Sequence, residues 1–260
     1  MAGMERIVRH PVRAAVVALA IVGAAVAGAG FTFATRTAAP LAMPTPAAAQ
    51  ARVTTPAAAG RLAAACASLL RAVTGAGLAG VWTVAPETEA GYRAHEKFAF
   101  LQSPHEAVAR TSRVAGWARV TRTGGQTTLE ESCFAIDVTS LVSIDQLPGM
   151  RTTDRDDVAR GILQADRYPI VTFKAARLRL PDAMAAGDRV HFEIPGELTI
   201  AGVHKPAVLA VDARVADGQL SAAGRTVIAA EDYGLDLPKA ADFVSVESQI
   251  TLEVALLMHR

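Results

Sequence analysis

From Gly80 onward the chain alternates apolar and polar residues with a period of two. Val190, Phe192 and Ile194 alternate with His191 and Glu193, and Leu209, Val211, Ala213 and Val215 with Ala210, Asp212 and Arg214. Phe134, Ile136 and Val138 alternate with Cys133, Ala135 and Asp137. Stretches 92–100, 113–123, 168–180, 196–202 and 219–230 are further candidates, which makes about eight or nine strands joined by short turns. The run from Val244 to Val254 is too long for an ordinary sandwich strand and suits a curved barrel strand. One helix interrupts the pattern. Asp154 can cap it, Asp156 and Asp157 suit its positive end, and Val158, Ile162 and Leu163 form its inner face. No alternation of strands with helices runs through the chain, so a parallel α/β fold is excluded. The expected fold is all-β: an antiparallel sheet with one apolar face, long enough to close on itself.

The first 79 residues have a different texture. Arg6, Arg9, His10 and Arg13 precede 21 uncharged residues, Ala14 to Ala34. As a helix these would span ~31 Å, about the thickness of a bilayer core. The flanking arginines predict residues 1–13 in the cytoplasm and everything after the span outside it. The rival reading is a cleaved signal peptide, whose best small-residue site is Ala47-Ala48-Ala49. Residues 35–60 are rich in Ala, Pro and Thr and read as a semi-extended linker. Residues 61–75 read as a short helix, within a connection that reaches residue 79. Its stripe of Leu62, Cys66, Leu69 and Val73 must pack on the domain or on another protein.

Charge and composition narrow the function. A net charge of +1 gives no basic footprint, so nucleic acid is not an expected partner. Cys66 and Cys133 are the only cysteines. They could bridge outside the cytoplasm, or Cys66 could be a small core residue. The chain has no Gly-X-Ser-X-Gly elbow, His-Glu-X-X-His pair or phosphate-cradling loop, and no catalytic or metal-ligating set is expected. His95 and His105 could converge at a barrel mouth, but single histidines there are more often surface or turn residues. If the barrel interior is open, its lining would be Phe98, Phe100, Phe134, Ile136, Phe173, Phe192, Leu198, Ile200, Val211, Val246 and Ile250. Such a lining could hold a hydrocarbon chain at ~0.8 kcal/mol per buried CH₂. Alternatively the same residues pack on one another.

Several motifs stand in a telling order. Gly80-Val81-Trp82 opens the first strand, Arg155-Asp156 lies in the helix after Ser140-Leu141, and Tyr168-Pro169-Ile170-Val171-Thr172-Phe173 heads a later strand. Gly196-Glu197-Leu198-Thr199-Ile200-Ala201-Gly202-Val203-His204-Lys205-Pro206 follows, then Tyr233-Gly234-Leu235 and Val244-Ser245-Val246. In this order the region 80–260 resembles the YceI-like family of polyisoprenoid-binding barrels. Gly91-Tyr92-Arg93 and the stretch Arg110 to Gly116 resemble its membrane-anchored actinobacterial branch. The resemblance implies an eight-stranded antiparallel, lipocalin-like barrel with one or two short helices. It implies an isoprenoid lipid or quinone as ligand with no required cofactor, and it does not imply catalysis. The expected setting is the cell membrane, with the barrel outside the cytoplasm. The rival function is an envelope interaction module with a packed interior, which an exposed helix stripe at 61–75 would favour.

Overall fold

The computed structural model describes residues 38–44, 56–67, 77–99, 101, 104–240 and 244–260. The apolar segment Ala14–Ala34 and the residues Phe100, Leu69 and Val73 lie outside them. Among the described residues no helix is long and apolar enough to cross a membrane.

The strands are β1 (Gly80–Val84), β2 (Glu89–Phe98), β3 (His105–Thr111), β4 (Val114–Thr123), β5 (Gln126–Asp137) and β6 (Val142–Ser143). After them come β7 (Ile170–Ala175), β8 (Leu178–Arg179), β9 (Val190–Ile200), β10 (Val203–Ala216), β11 (Gln219–Ala229), β12 (Lys239–Ala240) and β13 (Val244–His259). All pairings are antiparallel, and β1, β4, β5, β7, β9, β10, β11 and β13 close a ring of eight. The long β13 makes the closure possible. Its far end pairs with β1 through Thr83–His259, and its first part pairs with β2 through Val244–Phe98. So β1 and β2 are two halves of one wall strand, as are β3 and β4. At the β2–β3 end the wall splays, and the short edge strand β6 pairs there with β3.

Among the described residues three α-helices are appended: α1 (Pro56–Ala65), α2 (Thr152–Ile162) and α3 (Asp182–Ala185). α1 starts earlier than the apolar stripe suggests, because Pro56 suits the first helical turn, where no amide partner is needed. The cap of α2 is Arg151, without a side-chain cap bond, and Asp154 instead sits in the first turn, bonded by Arg151. Val158, Ile162 and Leu163 do form the inner side of this helix region.

The two ends of the barrel differ. At the β1 end, Trp82 is 1% exposed, donates its indole N–H to Leu78 O at 2.9 Å, and belongs to the same buried cluster as Met184 and Met258. It plugs that end. The motif glycines at 196 and 202 do different jobs. Gly202, with φ +77°, completes the tight turn between β9 and β10. Gly196 lies inside β9, where a Cβ would come within 2.7 Å of the Phe173 ring and 2.4 Å of Lys174 O. It is a seat for an aromatic ring, not a turn.

The stretch read as a semi-extended linker is partly docked. Residues 38–44 lie on the outer wall, with Ala38 O accepting from Arg93 Nη2 at 2.8 Å. α1 lies on another part of the wall. Leu62 and Cys66 are buried against Trp117, Cys133 and Ala135, and Cys66 is disulfide-bonded to Cys133. This explains why outward-facing positions on β5 carry apolar residues: a helix covers them.

Candidate functional site

The inward residues of the ring are not packed solid. A cavity of about 200 Å³ runs from the plugged end, at Met184 and Met258, to Tyr92 and Leu163 near α2. Phe134, Ile136, Phe173, Phe192, Leu198, Ile200 and Val211 line it, as their parity along the strands requires. A second cavity of about 130 Å³ lies under α2 and is lined by Phe98, Val246 and Ile250. Tyr92 borders both cavities. All the described members of the expected lining therefore face one cavity or the other, and Phe100 is not among the described residues.

The first cavity is nearly all carbon; beside Tyr92, Thr226 and Glu253 its polar lining includes a residue that sequence reasoning passed over. Ser132 is 4% exposed, lines the cavity, and its Oγ has no hydrogen-bond partner among the described residues. Its parity with Phe134 was the available signal. A buried hydroxyl without a partner costs free energy, so Ser132→Ala is expected to leave stability unchanged or raise it by up to ~1 kcal/mol. Thermal denaturation of the ligand-free protein checks this.

The second cavity has a polar floor, also missed. Tyr92, Ala94, Glu96 and Phe98 share the inward face of β2, so Glu96 brings a carboxylate inside. Arg155 of α2 meets it, with Nη2 3.2 Å from Glu96 Oε2. Arg155 also bonds Asp145, whose Oδ2 accepts from His105 Nε2 at 2.6 Å and whose Oδ1 accepts from the Val108 amide at 2.8 Å. Asp156 turns the other way and accepts the Ser143 amide at 2.7 Å. Arg155 and Asp156 thus pin α2 over the barrel end through separate partners. His105 is fully buried in this network rather than a turn residue, whereas His95 is exposed.

Burial sets the protonation of this floor. It pushes the Glu96 carboxyl above its ordinary value, against the opposing pull of Arg155 and His105. Burial, together with the nearby Glu96 charge, pushes the Tyr92 phenol far above its usual range. Tyr92 therefore keeps its proton and remains a hydrogen-bond donor at the junction of the cavities. For Asp145 burial also pushes upward, but the bonds from His105, the Val108 amide and Arg155 outweigh it and hold the carboxyl low. Among the described residues no cluster of metal-ligating side chains occurs.

Residues 93–257 match the family model described as a YceI-like domain, which is more than half of the chain. The chain belongs to the YceI-like family. Solved structures are similar at low identity. BcnA of Burkholderia cenocepacia is 16% identical, with a TM-score of 0.48, covering 67% of this chain and 98% of that one. A polyisoprenoid binding domain from Saccharophagus degradans, implicated in plant cell wall breakdown, is 14% identical with a TM-score of 0.47, covering 68% and 97%. The YCEI protein of Campylobacter jejuni is 18% identical with a TM-score of 0.39, covering 55% and 79%. No curated protein sequence matches this chain.

Proposed function

We propose that this protein holds a polyisoprenoid, a quinone or prenyl chain, in its barrel for storage, transport or protection. In this reading it works outside the cytoplasm, tethered to the membrane by Ala14–Ala34, and carries out no catalysis. The observation that carries the reading is the carbon-lined cavity spanning the barrel. A slender apolar chain fits such a lining and needs no polar partner along its length. The polar floor at Tyr92, Glu96 and Arg155 suits the oxygen-bearing end of such a molecule, with Tyr92 and Arg155 as donors. The family, and the polyisoprenoid binding named for the Saccharophagus domain, point the same way. Retention of the anchor is supported by the docking of residues 38–44, which cleavage after Ala49 would remove. The rival interaction module loses its main motive, because Leu62 and Cys66 of the helix stripe are buried on the barrel itself.

The test is direct. A secreted form beginning at Ala38, purified without detergent, should yield an organic-extractable isoprenoid by native and denaturing mass spectrometry. An empty barrel that also takes up no quinone or prenyl lipid from vesicles would overturn the reading. Ala222, which lines the cavity, provides the matched variant. Ala222→Phe puts a ring where three or four methylenes would lie. Affinity for the extracted lipid should fall ~50- to 200-fold, at ~0.8 kcal/mol per displaced CH₂. Vesicle-to-protein transfer of a fluorescent isoprenoid reads this out, with an unchanged far-ultraviolet circular dichroism spectrum as the folding control.

A further inference from the structure

We infer that the wall made by residues 38–44, β3 and β6 lies against the bilayer, so that the mouth under α2 opens onto lipid. This rests on the reading that Ala14–Ala34 spans the membrane.

The first observation is where the tether is fixed. Arg93 and Glu253 stand on the outer wall, yet they are only 7% and 9% exposed. They bond each other at 2.7 Å, and Arg93 also bonds Glu106 at 2.7 Å. Residues 38–44 cover this network: Ala38 O accepts from Arg93, Ala39 O from Arg110, and the Leu41 amide donates to Glu253 at 3.3 Å. Charge-assisted bonds of this kind are strong enough to fix a short segment. Only residues 35–37 separate the apolar segment from Ala38. However they are arranged, Ala38 then lies within ~14 Å of Ala34. A free tether over residues 35–79 would instead let the barrel wander ~35–40 Å from its anchor.

The second observation is independent of the tether. Among the described residues four large apolar side chains are exposed: Val142, Ile144, Val208 and Val227. Two of the four sit together on and beside the edge strand β6. Val142 pairs directly with Arg110, so it shares the face of the residue that grips Ala39. Burial alternates strictly from Leu141 to Leu147, which turns Val142 and Ile144 outward and Ser143 inward. Ser143 lines the second cavity. The exposed pair therefore brackets, on the outside, a residue of the second cavity's wall, and it lies on the same wall to which the tether is fastened. Shallow insertion of such a pair at the lipid surface removes apolar area from water and places the mouth at the acyl boundary. A ligand with negligible solubility could then pass between membrane and barrel without crossing water.

The experiment uses the full chain, with its disulfide intact, in phosphatidylcholine/phosphatidylglycerol vesicles. A fluorophore sensitive to lipid-borne spin labels is attached at Ile144→Cys or, as control, at Val208→Cys. Val208 is on β10, across the ring from β4. Vesicle flotation and the mass of the mature protein are recorded alongside. The expected result is quenching at position 144 greater than at 208 by about twofold or more, for a label held ~5–10 Å into the headgroup boundary. A protein that floats with the vesicles but is quenched equally at both positions overturns the inference and leaves the anchor standing. A protein that does not float and begins after Ala49 overturns the anchor reading and the inference with it.

Discussion

Replacing Asp145 by Asn should destabilise the barrel by ~3–5 kcal/mol, the cost of breaking a buried ion pair by removing one partner. Asp145 is 1% exposed and serves three donors at once: His105, the Val108 amide and Arg155. An amide has a single acceptor oxygen, and its NH₂ group would face donors. Arg155 would keep only Glu96, at 3.2 Å, and α2 would lose its main attachment to β3. The sign of the pH dependence follows from the same contacts. The Asp145 carboxyl is held below its usual value, so its contribution is in place above that value and disappears as pH falls through the lowered one. Glu96 has the opposite sign. Its carboxyl is raised, so its ionisation costs stability as pH rises through the raised value. Denaturant titrations of parent and variant should therefore differ most near neutrality and converge in strong acid, where Asp145 is protonated anyway. Asp154→Asn on the same helix removes only an exposed pair with Arg151 and should cost less than ~1 kcal/mol. If Asp145→Asn costs no more than Asp154→Asn, the buried network does not hold the helix.

The barrel was legible because period-two alternation reports the inside of a closed sheet directly. Phe192, Ile194, Leu198 and Val211 face inward for the same reason that His191, Glu193 and Asp212 face out. The apolar half of the candidate site came with it, since a cavity wall and a packed core obey one parity. Whether that interior is filled or open was not legible, because it depends on the summed volumes of side chains from eight strands. The outside of the wall was harder. Ala135 is 0% exposed though it points away from the cavity, and Arg93 is buried on a face that alternation assigns to water. In both cases the cover comes from chain far away in sequence, α1 and residues 38–44. Local pattern carries no information about such docking. The polar floor failed for a related reason. Glu96, His105, Asp145 and Arg155 are separated by up to 59 positions, and only the splayed end of the barrel brings them together. Glu96 left a trace as a charged residue on the parity of Tyr92 and Phe98, and His105 and Arg155 stood out singly, without their partners.

Loss of the Cys66–Cys133 bond is the other change expected to matter most. The bond closes a loop of 67 residues' separation, and the chain-entropy estimate for a loop of that length is ~4 kcal/mol. For a domain of this size that corresponds to a fall in Tm of ~8–16 °C. The change should also be local at first. Leu62 and Cys66 cover Trp117, Cys133 and Ala135, and the Trp117 indole donates to Cys66 O at 2.9 Å. With Cys66→Ala and Cys133→Ala combined, α1 is held by Leu62, this hydrogen bond and the Arg61–Asp137 pair. Its detachment would expose Trp117 while Trp82, on the inner face of the same β1–β4 wall, stays buried. A red shift of part of the tryptophan emission before global unfolding is the expected signature. A single coincident transition at the parent's Tm would mean that the bond closes a loop already ordered by other contacts. The bond also bears on location. Cytosolic thiol pools keep such pairs reduced, so full oxidation of the pair in protein taken from its native cells fits a domain outside the cytoplasm. Thiol-alkylation mass spectrometry on freshly lysed cells separates the two cases: a pair found largely alkylated there would place the barrel inside and remove the basis for the extracytoplasmic reading.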